Sequence, residues 1–169
     1  MFDSRVLGVD PGVAKLGLAV VARRDRANTL IWADTIRTPT GMPEAERLRL
    51  LAGAMRQAIV EHRPSAVALE RIAWNRNQVS ALRVARATGA VMVVAAEAGL
   101  EVDEYGPSEV KAAVTGTGTA DKAQVGDALA RIHGLRDVPA QPDAADAAAV
   151  ALTHLLGATM RRLSRLGAR

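Results

Sequence analysis

The chain has 169 residues, 49% of them hydrophobic, which suits one domain with a substantial core and excludes disorder throughout. It has no cysteine, so disulfides and thiolate metal sites are excluded. A net charge of +4 and a pI near 10.3 rest almost wholly on arginine, 19 Arg against 3 Lys, a weak pointer to nucleic acid that genome base composition explains equally well.

Met1–Arg5 lacks the long apolar region of a signal peptide and no later run is expected to span a membrane, so the expectation is a soluble cytoplasmic protein. Val6, Leu7 and Val9 form a short apolar run that predicts a buried strand ending in Asp10 and a Pro-Gly turn. Leu16–Val21 predicts a second strand, hairpin-paired with the first. Arg23–Asn28 reads as a polar turn and Thr29–Ile36 as a third strand. Pro43 followed by acids is a helix-start signal. Apolar residues from Leu48 to Val60 then recur with the helical period over Glu44–His62, and Pro64 stops the helix.

Ala66–Leu69 is continuously apolar and follows a helix, which predicts a central parallel strand; it too ends in an acid, Glu70. Asn77–Ala98 predicts a long helix whose Val91–Ala96 half is apolar all round, fit for burial within the domain or against a second chain. A short strand over Glu101–Tyr105 precedes helical runs at Ser108–Val114, Lys122–Ile132 and Asp143–Leu166. The order implies an α/β domain with a mixed sheet. The frequent alanine, 34 positions, favours helices that approach closely.

Carboxylates carry the candidate chemistry. Asp10 alone is better read as a turn opener, because Asp before Pro-Gly is ordinary turn chemistry. An acid closing a buried strand nevertheless needs a positive partner, and adjacent strands would bring Asp10 and Glu70 together. Asp143 and Asp146 sit at i, i+3, about 60° apart on one helical face. Taken alone they are better read as a capping box at a helix start, and they suit a metal as well only if that start points at the sheet's acids. Four such acids could hold two hard cations for in-line phosphoryl transfer. His62, His133 and His154 fall late in helical runs, where helix-end or surface roles suffice. The segment Gly116–Lys122 lacks a P-loop pattern.

Four stretches, VLGVDPGVAKLGLAVV, ALERIAWNRNQVSALRVARATG, AAEAGLEVDEYGPSEVKAAVTGTGTADKAQV and PDAADAAAVALTH, in this order and spacing, resemble the RuvC family of Holliday-junction resolvases in the RNase H-like superfamily. The resemblance implies an RNase H-like fold with a five-stranded mixed sheet ordered 3-2-1-4-5, strand 2 antiparallel, flanked by helices. It implies a single nuclease domain over the whole chain with a basic helical tail from about residue 160. It places the four catalytic, metal-binding acids on Asp10, Glu70, Asp143 and Asp146, with two Mg²⁺ or Mn²⁺ ions. Lys111 and Lys122 match positions concerned with catalysis and DNA, although a solvated helix face explains almost any lone lysine. Between them, Gly116 and Gly118 suggest a flexible loop whose backbone can approach phosphate.

The family's stacking aromatic falls on Ala73, and Trp74 stands one residue later, as a DNA-binding substitute or as a residue packed on the next helix. Arg76 and Asn77 match a pair used near the junction backbone, and Arg83 is a further DNA-binding candidate. Four-way junction DNA, a homodimer nicking opposed strands, and RuvA and RuvB are the implied partners. The rivals are a RuvC-like RNase of the YqgF type, a non-cleaving junction binder and, less suited to so short a chain, an actin-like kinase or ATPase.

Overall fold

The computed structural model describes residues 4–25, 27–71 and 78–167. The elements run β1 (Ser4–Asp10), β2 (Lys15–Arg24), β3 (Ala27–Arg37), α1 (Glu44–His62), β4 (Ala66–Glu70), α2 (Gln78–Glu97), β5 (Val102–Tyr105), α3 (Pro107–Thr115), α4 (Lys122–Arg131) and α5 (Pro142–Gly167). They build one sheet ordered β3-β2-β1-β4-β5, in which β2 is antiparallel to both neighbours while β1, β4 and β5 are mutually parallel. The expected RNase H-like order and the antiparallel second strand are both present.

Side chains alternate across a strand, so the sheet separates its residues by size. Leu7 and Val9 of β1, Leu16, Leu18 and Val20 of β2, and Val67 and Leu69 of β4 enter one core with Leu51 and Met55 of α1 and Val91 and Val94 of α2. The opposite face carries Val6, Ala19, Val21 and Ala68, packed against Ala147, Ala148, Ala151, Leu152 and Leu155 of α5. Gly8 and Gly17 belong to that second face. A Cβ at Gly8 would lie 1.9 Å from the Ala147 carbonyl oxygen, and one at Gly17 would lie 2.0 Å from that of Asp143. Small residues on the strands against alanines on the helix therefore let α5 sit almost on the backbone of β1 and β2.

The polar turn expected over residues 23–28 is shorter than its composition suggests. β2 and β3 stay paired to Arg24↔Ala27, and Asp25 adopts a left-handed conformation (φ 57°) at the tip. Short polar side chains tolerate that region better than most. The ladder slips between Val20 and Val21, a local irregularity in the hairpin.

α2 departs from expectation in one respect. Val79–Glu97 is long and apolar enough to cross a membrane by length and composition. Its inner side is nevertheless a core face, with Ala87, Val91, Val94 and Ala95 buried. Its N-terminal half carries Arg83 and Arg86, both facing Glu44 of α1. Its outer side leaves Val79 (66%) and Val93 (57%) largely exposed, with Leu82 and Met92 beside them. The apolar run over residues 91–96 is thus half core and half open face.

Candidate active site

Asp10 and Glu70 end neighbouring parallel strands, with Val9 opposite Leu69 in the register. Alternation places Asp10 on the face of Val6 and Gly8, and Glu70 on that of Ala68, which is the face covered by α5. Asp10 pairs across the sheet with Gly17, and Gly17 is where the backbone of Asp143 comes down. The two glycines thus seat the start of α5 directly beside the strand-end acids. Pro142 is the first helical residue and the Ala145 N–H donates to the Gln141 carbonyl at 3.1 Å. Asp143 therefore lies inside the helix, and neither it nor Asp146 caps a backbone N–H among the described residues. The capping alternative does not describe this helix start, because proline occupies N1.

The electrostatics follow from this convergence. Burial, then the charge of Glu70, a hydrogen bond with Glu70, and the charges of Asp146 and Asp143 push Asp10 up to about 8. Glu70 is also raised, by burial first. Its hydrogen bond with Asp10 opposes that rise, as do the charges of Lys122 and Lys111, while Asp146 reinforces it. Both carboxyls of the pair are thus pushed upward, burial being the first cause in each. Lys122 donates to Asp146 Oδ2 at 2.6 Å, and its own pKa is raised, chiefly by that bond.

Lys122 owes its placement to a feature absent from the sequence reading. Asp121 caps α4, accepting from the Gln124 N–H at 2.9 Å, while Gln124 Oε1 accepts from the Asp121 N–H at 2.9 Å. The signal was an Asp and a Gln three residues apart before a helical run. The expected flexible loop between Lys111 and Lys122 is instead braced. Gly116 closes α3 with φ 85°, and Thr115 Oγ1 donates to the Thr117 carbonyl at 3.0 Å. Beside Lys122 and Asp146, α4 and the start of α5 enclose a mainly apolar groove of about 790 Å³ lined by Leu129, Leu135, Val138 and Pro139.

Arg83 is not part of this cluster; it stands on α2 with Nε 3.7 Å from Glu44. Trp74, Arg76 and Asn77 lie outside the described residues. Two histidines are internal fasteners. His133 Nε2 lies 2.8 Å from the Val114 carbonyl oxygen, and His154 Nδ1 lies 3.1 Å from the Tyr105 hydroxyl and 3.3 Å from Asp103.

Among the described residues no three acids or histidines are gathered tightly enough to enclose an ion as they stand, since Asp10 is bonded to Glu70 and Asp146 to Lys122. The donor set nevertheless suits one. Carboxylate oxygen is the ligand hard divalent cations prefer, and burial followed by the charges of Glu70, Asp146 and Asp143 raises Asp10, a combination that such a cation would offset.

Residues 6–154 match the family model described as "Crossover junction endodeoxyribonuclease RuvC". The chain belongs to the RuvC family. Relatives of that name include one from Leifsonia xyli subsp. xyli, 43% identical over 97% of this chain and 79% of its own length, and one from Frankia alni, 48% identical over 89% and 77%. The solved structure titled "T. thermophilus RuvC in complex with Holliday junction substrate" superposes with a TM-score of 0.87, at 38% identity over 93% of this chain and 96% of that one. The yeast mitochondrial Holliday junction resolvase Ydc2 shares the fold, with a TM-score of 0.69 at 14% identity over 90% of this chain and 78% of that one. RuvC proteins are endonucleases of crossover junctions, and the family implies dependence on a divalent metal.

Proposed function

We propose that this chain resolves four-way DNA junctions in recombination and repair by hydrolysing one phosphodiester in each of two opposed strands. Asp10, Glu70, Asp143 and Asp146 are the residues that would hold two divalent ions, Mg²⁺ or Mn²⁺. Such ions supply Lewis-acid charge for activating the attacking water and for the departing 3′ oxygen, leaving 5′-phosphate ends. The observation that carries this reading is geometric: Asp10 and Glu70 end neighbouring parallel strands, and the start of α5, with Asp143 and Asp146, comes down on Gly17 opposite Asp10.

The rest of the chain has roles that its chemistry supports. Asp10 and Glu70, on strand ends, form the fixed half of the site, and Asp143 and Asp146 arrive on one rigid helix. Lys122 and Lys111 balance charge on the scissile phosphate. Lys122 must exchange Asp146 for phosphate, and its exposed position makes that exchange cheap. A junction has two-fold symmetry, so two sites on two copies meet its paired strands. The uncovered side of α2, with Leu82, Met92 and Val93, suits a self-complementary contact of that kind. RuvA, RuvB and a cytoplasmic setting belong to the same proposal, as does the assignment of residues 1–169 to one nuclease domain.

The test is nicking of a synthetic four-way DNA junction, with a structured RNA in parallel. Metal-dependent nicking of the DNA junction, blocked by EDTA and by Asp10→Asn, is the expected result. Preference for RNA would move the chain to the YqgF-type reading, and binding without nicking would make it a junction-binding protein.

A further inference from the structure

On the far side of the β1–β2 turn from α5 lies a second, smaller pocket of about 290 Å³, lined by Gly12, Lys15, Arg47, Ser80, Arg83 and their neighbours. Arg47 is its unusual member. It stands in the first turn of α1, is only 8% exposed, and yet carries a permanent charge. Among the described residues its side chain makes one hydrogen bond, from Nε to Thr38 Oγ1 at 2.7 Å, and no carboxylate pairs with it. A guanidinium has five N–H donors, so four remain for something else. The terminal nitrogens of Arg47 are not among the side-chain atoms sealed from solvent without a partner, so they open onto the pocket, where an anion can reach them.

The surroundings fix the fork rather than neutralise it. The Thr38 hydroxyl donates to the Val13 carbonyl at 2.6 Å, and the Thr38 N–H donates to the Ala14 carbonyl at 3.1 Å. Arg47, Thr38 and the turn are therefore one braced unit. Gly12 keeps that turn tight, since a Cβ there would lie 2.5 Å from the Lys15 carbonyl oxygen. Lys15 and Arg83 add two more cations at the pocket. The nearby carboxylate, Glu44, is shared between Arg86 and Arg83, the latter at 3.7 Å. Gly12 follows Asp10 by two residues, a span of at most ~7 Å.

We propose that this pocket is an anion site that seats a phosphate of the cleaved strand close to the one hydrolysed, held by Arg47 with Lys15 and Arg83. The proposal rests on the nuclease reading of the neighbouring acids and goes beyond it by naming a positioning contact outside them. A phosphodiester supplies the missing anion, and its seat on the turn that follows Asp10 sets the strand's register over the acids.

The test combines Lys15→Gln and Arg47→Gln with junctions in which single phosphates near the cut are replaced by neutral methylphosphonates. One replaced position is expected to weaken binding by wild type about 5- to 10-fold. At that position the Lys15→Gln protein loses markedly less than wild type does. On unmodified junctions Lys15→Gln shallows the salt dependence of binding by about 0.7–0.9 in log–log slope, the change for one lost phosphate contact. Because Arg47→Gln can fail to fold, the Lys15 and methylphosphonate arms decide alone if it does. Unchanged slope, with no sensitive position in a wild type that still nicks, overturns the pocket and leaves the nuclease reading standing. The same result with inorganic phosphate raising the melting temperature of wild type but not of Lys15→Gln would make it a site for free anion, which also overturns the proposal. Absence of nicking by wild type would instead strike at the acid site.

Discussion

Gly17→Ala separates the placing of α5 from the chemistry of the acids it delivers. The added methyl would lie 2.0 Å from the Asp143 carbonyl oxygen, 2.5 Å from its carbon and 3.2 Å from the Ala144 nitrogen, all backbone atoms that cannot rotate away. Ordinary contact begins at 3.4 Å, so the helix start must retreat by about 1.4 Å, the difference between 3.4 and 2.0. Overfilling a tight contact of this kind costs about 1–3 kcal/mol, or roughly 2–12 °C in melting temperature for a domain of this size. The effect on cleavage is expected to be larger. Asp143 moves with its own carbonyl while Asp10 stays on β1, and a misplacement near 1 Å can cost about 100-fold in rate. Single-turnover nicking and thermal melting, measured on the same protein, give the two numbers. Gly53→Ala is the control, since nothing lies within 4 Å of its added Cβ in α1. That substitution is expected to leave nicking unchanged and to stabilise by about 0.5–1 kcal/mol. A Gly17→Ala protein that melts and nicks like wild type would refute the claim that this glycine sets the distance between helix and sheet.

Four further outcomes follow from the geometry. The folded chain keeps the proton of Asp10 up to about pH 8, whereas the unfolded carboxyl loses it near 3.8. Stability therefore falls as pH rises between those values, by up to roughly 1.4 kcal/mol per unit for this group, and Asp10→Asn is expected to flatten urea-melt stability across that window in EDTA while abolishing nicking; equal slopes would count against it. Mg²⁺ or Mn²⁺ is expected to raise the melting temperature of wild type and to do so far less for Asp10→Asn, and chelation is expected to stop nicking but spare junction binding. Lys122→Met removes the 2.6 Å contact to Asp146 at an exposed site, so stability is expected to change by less than about 1 kcal/mol while nicking falls by about 100-fold. Val93→Asp on the open side of α2 is expected to yield monomers by light scattering, with one-strand nicks replacing paired ones; an unaltered mass would place any dimer contact elsewhere.

The strands and α1 were legible because their signals are local. Pro43 with its acids and Pro64 bracket Glu44–His62, and the short apolar runs ending in Asp10 and Glu70 are of strand length and form β1 and β4. What escaped is what depends on contact between distant segments. The alanines promise close helix packing, but the pairing of Gly8 and Gly17 with α5 appears only when that helix is laid on the sheet. Asp143 and Asp146 fit a capping box in the sequence, and only the start of α5 at Pro142 shows that Asp143 lies within the helix instead. Lys122 stood out through family likeness, yet its position is set by the Asp121–Gln124 box, a short-range pattern that passed unnoticed. A sequence does not reveal which arginines are buried, and Arg47, which has no carboxylate partner among the described residues, is one.

The order in which the acids occur along the chain has a consequence for synthesis. A ribosome releases β1 with Asp10 first and α5 last, and domains settle as their segments emerge. Until residue 146 has left the exit tunnel and α5 has closed onto the two glycines, the growing polypeptide holds only Asp10 and Glu70 of the four proposed ligands. The segment that completes the core is therefore also the one that brings the last two candidate ligands, so folding and assembly of the proposed site finish together.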